Sequence, residues 1–170
     1  MAIYDFERFA DRRVVDIPDI IRSLDATPVA ELRVFALAVS SGRPRLIGRG
    51  VYCFSSAERA VLYVGKTTSR RFVERIPAHF DSQGWFGTFW KRMAEHYADD
   101  SAEDIAKRLA STNFIGIEFS SDADAQTKAR RLEKLLQGLL EPPFVRVTRS
   151  ARLFASQVRD MTIQDALIAV

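Results

Sequence analysis

The chain has 170 residues, enough for one domain with an appendage, and its 47% hydrophobic and 28% charged content is ordinary for a water-exposed globular fold. There is no apolar run of about 18 residues and no apolar leader, so neither a membrane span nor a signal peptide is expected, and the location expected is cytoplasmic. The single cysteine, Cys53, excludes an internal disulfide and a cysteine-based zinc site.

The first 27 residues read as two short helices, the second around "PDIIRSL" with Pro18 near its start. "PVAELRVFALAVSS" fits a helix or a strand equally well, and "SGRPR" is a loop. "GVYCF" (50–54) and "AVLYV" (60–64), joined by "SSAER", predict an antiparallel hairpin. "SRRFVERIPAHF" has helical spacing, with Pro77 set to kink or shorten the helix. "WFGTFWKRMAEHYA" (85–98) predicts a helix, and "SAEDIAKRLAS" another with a capping box from Ser101 and Asp104. "NFIGIEF" (113–119) is a third strand. Residues 120–140 form the clearest helix, capped by Ser121, with Ala125, Ala129, Leu132, Leu136 and Leu139 as its buried stripe and "EPP" at its end. The tail adds one capped turn, "TIQDALIA". The expected fold class is α+β: a three-stranded, mainly antiparallel sheet flanked by helices. The organisation is a helical N-terminal extension (1–47), a domain over 48–145 and a tail (146–170).

The net charge of +3 hides an uneven distribution. Residues 41–80 carry +6, residues 81–127 carry −5 and residues 128–152 carry +5. If the two basic blocks meet, they make a surface suited to phosphates; otherwise they are solvated faces.

"AVLYVGKTTSRRF" contains Gly65-Lys66-Thr67, the ending of a phosphate-binding loop. The first glycine of such a loop would fall at Ala60, at the start of a strand. The strand also follows a hairpin, whereas that loop needs a parallel sheet. A nucleoside triphosphate site is therefore not expected.

The hairpin holds Gly50-Val51-Tyr52 and, eleven residues after Tyr52, Tyr63-Val64-Gly65. With "FVERIPAHF" behind it, this stretch resembles the GIY-YIG nuclease family over roughly residues 48–145. Val replaces Ile in both tripeptides. Arg75 lies twelve residues past Tyr63 and His79 four further on, which places both on one helix face. The resemblance implies a metal-dependent endonuclease hydrolysing phosphodiester bonds, with roles in catalysis for Tyr52, Tyr63, Arg75, His79 and Glu133. It also implies Mg²⁺ or Mn²⁺ on Glu133. Lys66 resembles the lysine of the family's excision-repair members. The family's usual Asn after the glutamate has no counterpart in "EPPFVRVTRS". That gap keeps a second expectation open, a nucleic-acid-binding module of the same fold without turnover.

The chemistry of the residues is consistent with that implication. Hydrolysis of a phosphodiester needs an activated water, a cation on the developing charge and an electrophile. Glu133 is a hard oxygen ligand of the type Mg²⁺ takes, or else a surface partner for Arg130. Arg75 has the planar fork that clamps phosphate, or else pairs with Glu74. Tyr63 is a candidate general base if its pKa is depressed, and His79 a candidate partner for Tyr63 or a structural histidine. Lys66, Arg70 and Arg71 are expected to face substrate phosphates, with Arg43, Arg45, Arg49, Arg146, Arg149 and Arg152 farther along the track. "WFGTFW" is read as core more than as a base-stacking platform. The expected partner is double-stranded DNA. Cutting both strands requires a homodimer or two successive nicks, in an enzyme of restriction, defence or mobile-element type.

Overall fold

The computed structural model describes residues 2–32, 49–68, 72–82, 88–119 and 124–169. The predicted hairpin is present as β3 (Arg49–Ser55) and β4 (Val61–Thr67), and the third predicted strand as β5 (Asn113–Phe119). The sheet is wider than expected. Two strands from the N-terminal segment, β1 (Ile3–Asp5) and β2 (Thr27–Pro28), pair with β5, the first parallel and the second antiparallel. The order is β1-β5-β3-β4, with β2 also on β5, so the sheet is five-stranded and mixed. An unpaired outer edge on β5 would leave a row of open backbone groups, and the N-terminal residues cover it. Strands of three and two residues carry too little pattern to be read from sequence. The extension is accordingly part strand, with α1 (Ile17–Ser23) as its one described α-helix.

Because β3 and β5 are central, both their faces are covered, and their side chains are buried almost without alternation. Each face has its own core. Val51, Cys53, Val64, Ile115, Ile117 and Phe119 point to one side. There they meet α1, α5 (Ala125–Leu140), α6 (Arg149–Gln157) and α7 (Ile163–Ile168). The opposite side carries Tyr52, Phe54, Tyr63 and Phe114 against α2 (Phe72–Arg75), α3 (Phe89–His96) and α4 (Ala102–Ala110). Phe54 stacks on Phe89 with ring centroids 4.9 Å apart. Each such fully buried ring contributes roughly 1.5–3 kcal/mol.

Local chemistry explains most boundaries. Pro77 ends α2 after one turn, and a 3-10 turn over Pro77–His79 follows. The expected long helix with Arg75 and His79 on one face is thus two short pieces. α3 starts at Phe89, where the Thr88 hydroxyl accepts the Lys91 N–H. Trp85, expected inside that helix, lies outside the described residues. α4 has the predicted capping box. α5 is described from Ala125, and its expected cap, Ser121, also falls outside the described residues. Its stripe is Ala125, Ala129, Leu132, Leu135 and Leu136, with Leu139 only partly buried. It ends at Glu141 in a left-handed conformation before two prolines. α6 was not anticipated: Arg149 and Arg152 lie on a helix of their own, capped by Thr148.

Gly138 lets α6 pack against α5. A Cβ there would come within 2.3 Å of the Ala151 carbonyl oxygen, a backbone atom that cannot swing away. Gly→Ala inside a helix ordinarily stabilises by about 1 kcal/mol. Gly138→Ala is expected to do the reverse, lowering stability by about 1–3 kcal/mol in urea titrations, because the helix pair must separate.

Candidate active site

The predicted chemistry-bearing residues gather at the free edge of β4. The opposite edge of that strand is laddered to β3. On the free side, Phe144 N–H bonds the Leu62 carbonyl at 3.1 Å and the Gln137 amide reaches the Val64 carbonyl at 3.5 Å. Around the next residues the edge opens into a pocket of about 220 Å³, lined by Tyr63, Gly65, Lys66, Thr67, Thr68, Arg75 and Glu133. Strand alternation explains how one pocket draws on both faces of the sheet. Tyr63 points to the face that carries α2, and α2 brings Arg75. Lys66 points to the other face, where α5 brings Glu133.

This arrangement also disposes of the triphosphate question. Gly65, Lys66 and Thr67 are residues of an antiparallel edge strand, with no loop wrapped around an anion.

Gly65 is needed because Tyr52 lies over it. A Cβ at Gly65 would sit 2.4 Å from the Tyr52 hydroxyl oxygen. Gly50 is equally constrained, since its Cβ would come within 2.0 Å of the Ile117 carbonyl oxygen. Tyr52 itself is fully buried and lies behind the pocket wall, and its ring is stacked at 6.4 Å from that of Tyr63.

His79 is buried beside Tyr52, and its two nitrogens have separate duties. Nδ1 accepts the Phe89 backbone N–H at 3.0 Å, at the first turn of α3. A neutral imidazole with Nδ1 accepting carries its proton on Nε2, and Nε2 is hydrogen-bonded to the Tyr52 hydroxyl. His79 is therefore a fixed N–H donor to Tyr52. The expected bond to Tyr63 is replaced by a ring contact with centroids 5.0 Å apart. Burial, helped by the charge of Arg75, pushes the His79 pKa down to about 3, so a proton-shuttling role near neutral pH does not fit.

Arg75 is half-buried and within hydrogen-bonding reach of both tyrosine hydroxyls. Tyr63 departs from expectation. Burial raises its pKa, and the charges of Arg75 and Arg92 offset this only in part. The protein's own groups do not supply a depressed hydroxyl. Burial also raises the Tyr52 pKa, again against Arg75.

Glu133 is not a surface partner of Arg130. Its side chain is 16% exposed and forms an ion pair with Lys66, itself 32% exposed. Burial pushes the Glu133 pKa up, and Lys66 followed by Arg75 pulls the other way. Among the described residues no group of three or more His, Cys, Asp and Glu comes together. A divalent cation here would rest on the Glu133 carboxylate, with the rest of its shell from water and substrate, the manner in which Mg²⁺ is often held. The donor set fits such an ion in one respect that is visible directly: a cation, the Lys66 ammonium, already sits on that carboxylate. Cys53 offers nothing to a metal, since burial pushes its thiol up to about 12.

Arg70, Arg71, Arg43 and Arg45 lie outside the described residues. Arg49 is exposed at the start of β3, as are Arg146, Arg149 and Arg152 after α5, where Arg152 pairs with Glu141. Four residues were not singled out beforehand. Thr67 and Thr68 line the pocket, Phe89 N–H holds His79, and the Arg92 charge acts on Tyr63. "GKTT" carried the first pair in plain view. The other two depend on how α3 docks and leave no local signature. Phe89 is in the aromatic stretch read as core, and it is fully buried.

No family model, curated protein or solved structure matches the chain.

The depressed His79 pKa has a consequence for stability. The unfolded chain takes up the His79 proton near pH 6.5 while the folded chain resists until about 3, so this contribution is intact above 6.5 and declines as the pH falls below it. Acidification from pH 7.5 to 5 is expected to remove about 2 kcal/mol through this group. Glu133, with a raised folded pKa, acts in the opposite direction, so wild type must be compared with His79→Gln. The amide can accept from Phe89 and donate to Tyr52. Urea midpoints at the two pH values should diverge less in the variant, and equal divergence would refute the depressed His79 pKa.

Proposed function

We propose that the protein is a metal-dependent endonuclease of GIY-YIG type that hydrolyses phosphodiester bonds in DNA. The observation that carries this reading is the pocket: Tyr63, Lys66, Arg75 and Glu133, picked out by the family resemblance, line one polar recess at the edge of β4. Ordinary strand aromatics and scattered surface ion pairs would have no reason to converge there.

The chain's own groups suit that chemistry. Arg75 presents two or more N–H donors on a rigid fork, placed to hold a phosphoryl oxygen and to take up charge as water adds to phosphorus. Tyr63, held by Arg75, orients the attacking water. Tyr52 fixes Arg75 from behind, and the His79 Nε2–H fixes Tyr52. Water adds to phosphorus, the bond to one ester oxygen breaks, and that oxygen leaves with a proton. A Mg²⁺ or Mn²⁺ ion on Glu133 supplies Lewis-acid polarisation of the phosphate when bound. Arg92 on α3 and Arg130 one turn before Glu133 extend the positive surface for the flanking backbone. A role in restriction, defence or a mobile element suits a compact nuclease of this kind, with target choice resting on residues 1–47, on residues 81–112 or on a partner.

The second reading, a binding module of the same fold without turnover, is favoured by one observation, the absence of Asn from "EPPFVRVTRS".

The test is cleavage of supercoiled and linear DNA by the purified protein in Mg²⁺, in Mn²⁺ and in EDTA. Glu133→Ala and Arg75→Ala are each expected to lower the cutting rate by about 10²–10³-fold with DNA affinity largely kept. DNA binding without cutting in any metal would favour the second reading. Cutting that survives both substitutions would mean that the site is elsewhere.

A further inference from the structure

Building on the nuclease reading, we infer that Lys66 is a resident counter-ion for Glu133. Its ammonium group holds the position on the carboxylate that a divalent cation takes, and it swings to the substrate phosphate once that cation is taken up. Three observations converge on this.

The first is the pairing itself. Lys66 and Glu133 come from different elements, β4 and α5, and meet at the pocket with both side chains largely withdrawn from water. A carboxylate in that position is costly to leave alone, as the upward push of burial shows. The lysine satisfies it before any metal arrives.

The second is charge. Among its described lining groups the pocket sets one carboxylate against two cations, Lys66 and Arg75. An ammonium and a divalent ion on the same oxygen atoms would repel strongly, so uptake of one expels the other. Arg75 is not the group displaced, because the cation paired with the Glu133 carboxylate is the Lys66 ammonium.

The third is freedom of movement. The backbone of Lys66 is fixed by the β3 ladder, and the adjacent Thr67 hydroxyl is held by the Gly50 N–H at 2.9 Å. The lysine stem has four rotatable carbons and can swing without disturbing the strand. A pocket of about 220 Å³ has the liquid volume of roughly seven waters. That is room for a hydrated cation and a displaced ammonium together.

The experiment reads Lys66 directly, without nucleic acid. Only an unprotonated, unpaired amine reacts with an N-hydroxysuccinimide ester, so labelling of each lysine, followed by mass spectrometry, reports its pairing. Exposed Lys91 serves as the internal reference. In EDTA, Lys66 should label several-fold more slowly than Lys91. Saturating Mn²⁺, with occupancy fixed by calorimetry, should raise its rate several-fold. Glu133→Gln should label fast in both conditions. In calorimetry, Lys66→Met should bind Mn²⁺ about tenfold more tightly than wild type, while Lys66→Arg, which keeps the charge, should not. Lys66→Gln replaces the methionine variant if that one fails to fold. If Mn²⁺ binds and Lys66 labelling does not change, the inference is wrong while metal-dependent cutting stands. If neither variant nor wild type binds Mn²⁺ and no DNA is cut, the inference falls together with the nuclease reading.

Discussion

The Tyr52 ring lies flat over Gly65, with its hydroxyl in the volume that any other side chain at 65 would fill, and the geometry of the pocket follows from that contact. Tyr52 cannot shift, because Phe54, Tyr63, Phe72 and His79 surround its ring. His79 in turn is anchored to the first backbone N–H of α3. A chain of fixed contacts therefore runs from a helix start, through an imidazole and a phenol, to the guanidinium of Arg75. In a packed interior such a chain transmits position well, since close-packed side chains have little room to shift.

The pocket draws on side chains from both faces of the sheet, each backed by its own core. A sheet normally keeps its faces apart, and residues adjacent along a strand point to opposite sides. At a free edge, and beside a glycine, that separation lapses. Tyr63 and Lys66 approach the same space from opposite sides of β4. The aromatic core holds Arg75 and the tyrosines in a dry, rigid frame. The aliphatic core holds α5, and with it Glu133, against the strand. Electrostatics at the site follow this division: Arg75 offsets the burial of the tyrosines on its own side, Lys66 offsets that of Glu133 on the other, and the Arg75 charge also reaches Glu133.

Much of this was legible from local pattern. The hairpin, β5, the capping box of α4 and the main stripe of α5 each follow from signals within a dozen residues. Tyr52, Tyr63, Arg75 and Glu133 could be proposed as a common site through the family resemblance of the hairpin and the segment after it. What escaped depends on contacts between distant segments. β1 and β2 are too short to show a period and exist because β5 offers an edge. α6 is an amphipathic helix following a proline-rich stretch, and its docking on Gly138 is invisible until α5 is in place. The direction of the Tyr63 pKa and the choice of Tyr52 as the partner of His79 are likewise set by burial and by the entry of α3.

The backbone bonds between residues 10–15 and 159–164 have a consequence for assembly. Val14 N–H meets the Met161 carbonyl at 3.0 Å, and Ile163 N–H meets the Arg12 carbonyl at 2.8 Å. These contacts close a loop of almost the whole sequence, and behind them Phe6, Val14 and Ile17 share a core with Ala166 and Leu167. Closing so long a loop carries a large entropic cost that nothing local repays, so it comes late on the folding route. Until residues 161–167 have been synthesised, the aliphatic face of the sheet remains partly uncovered, and α5 lacks the neighbours that press it down. A nascent chain can thus close the aromatic side once Phe144 is in place, before residues 161–167 arrive to hold the glutamate's helix down. The arginine side of the pocket would be assembled before its carboxylate during synthesis.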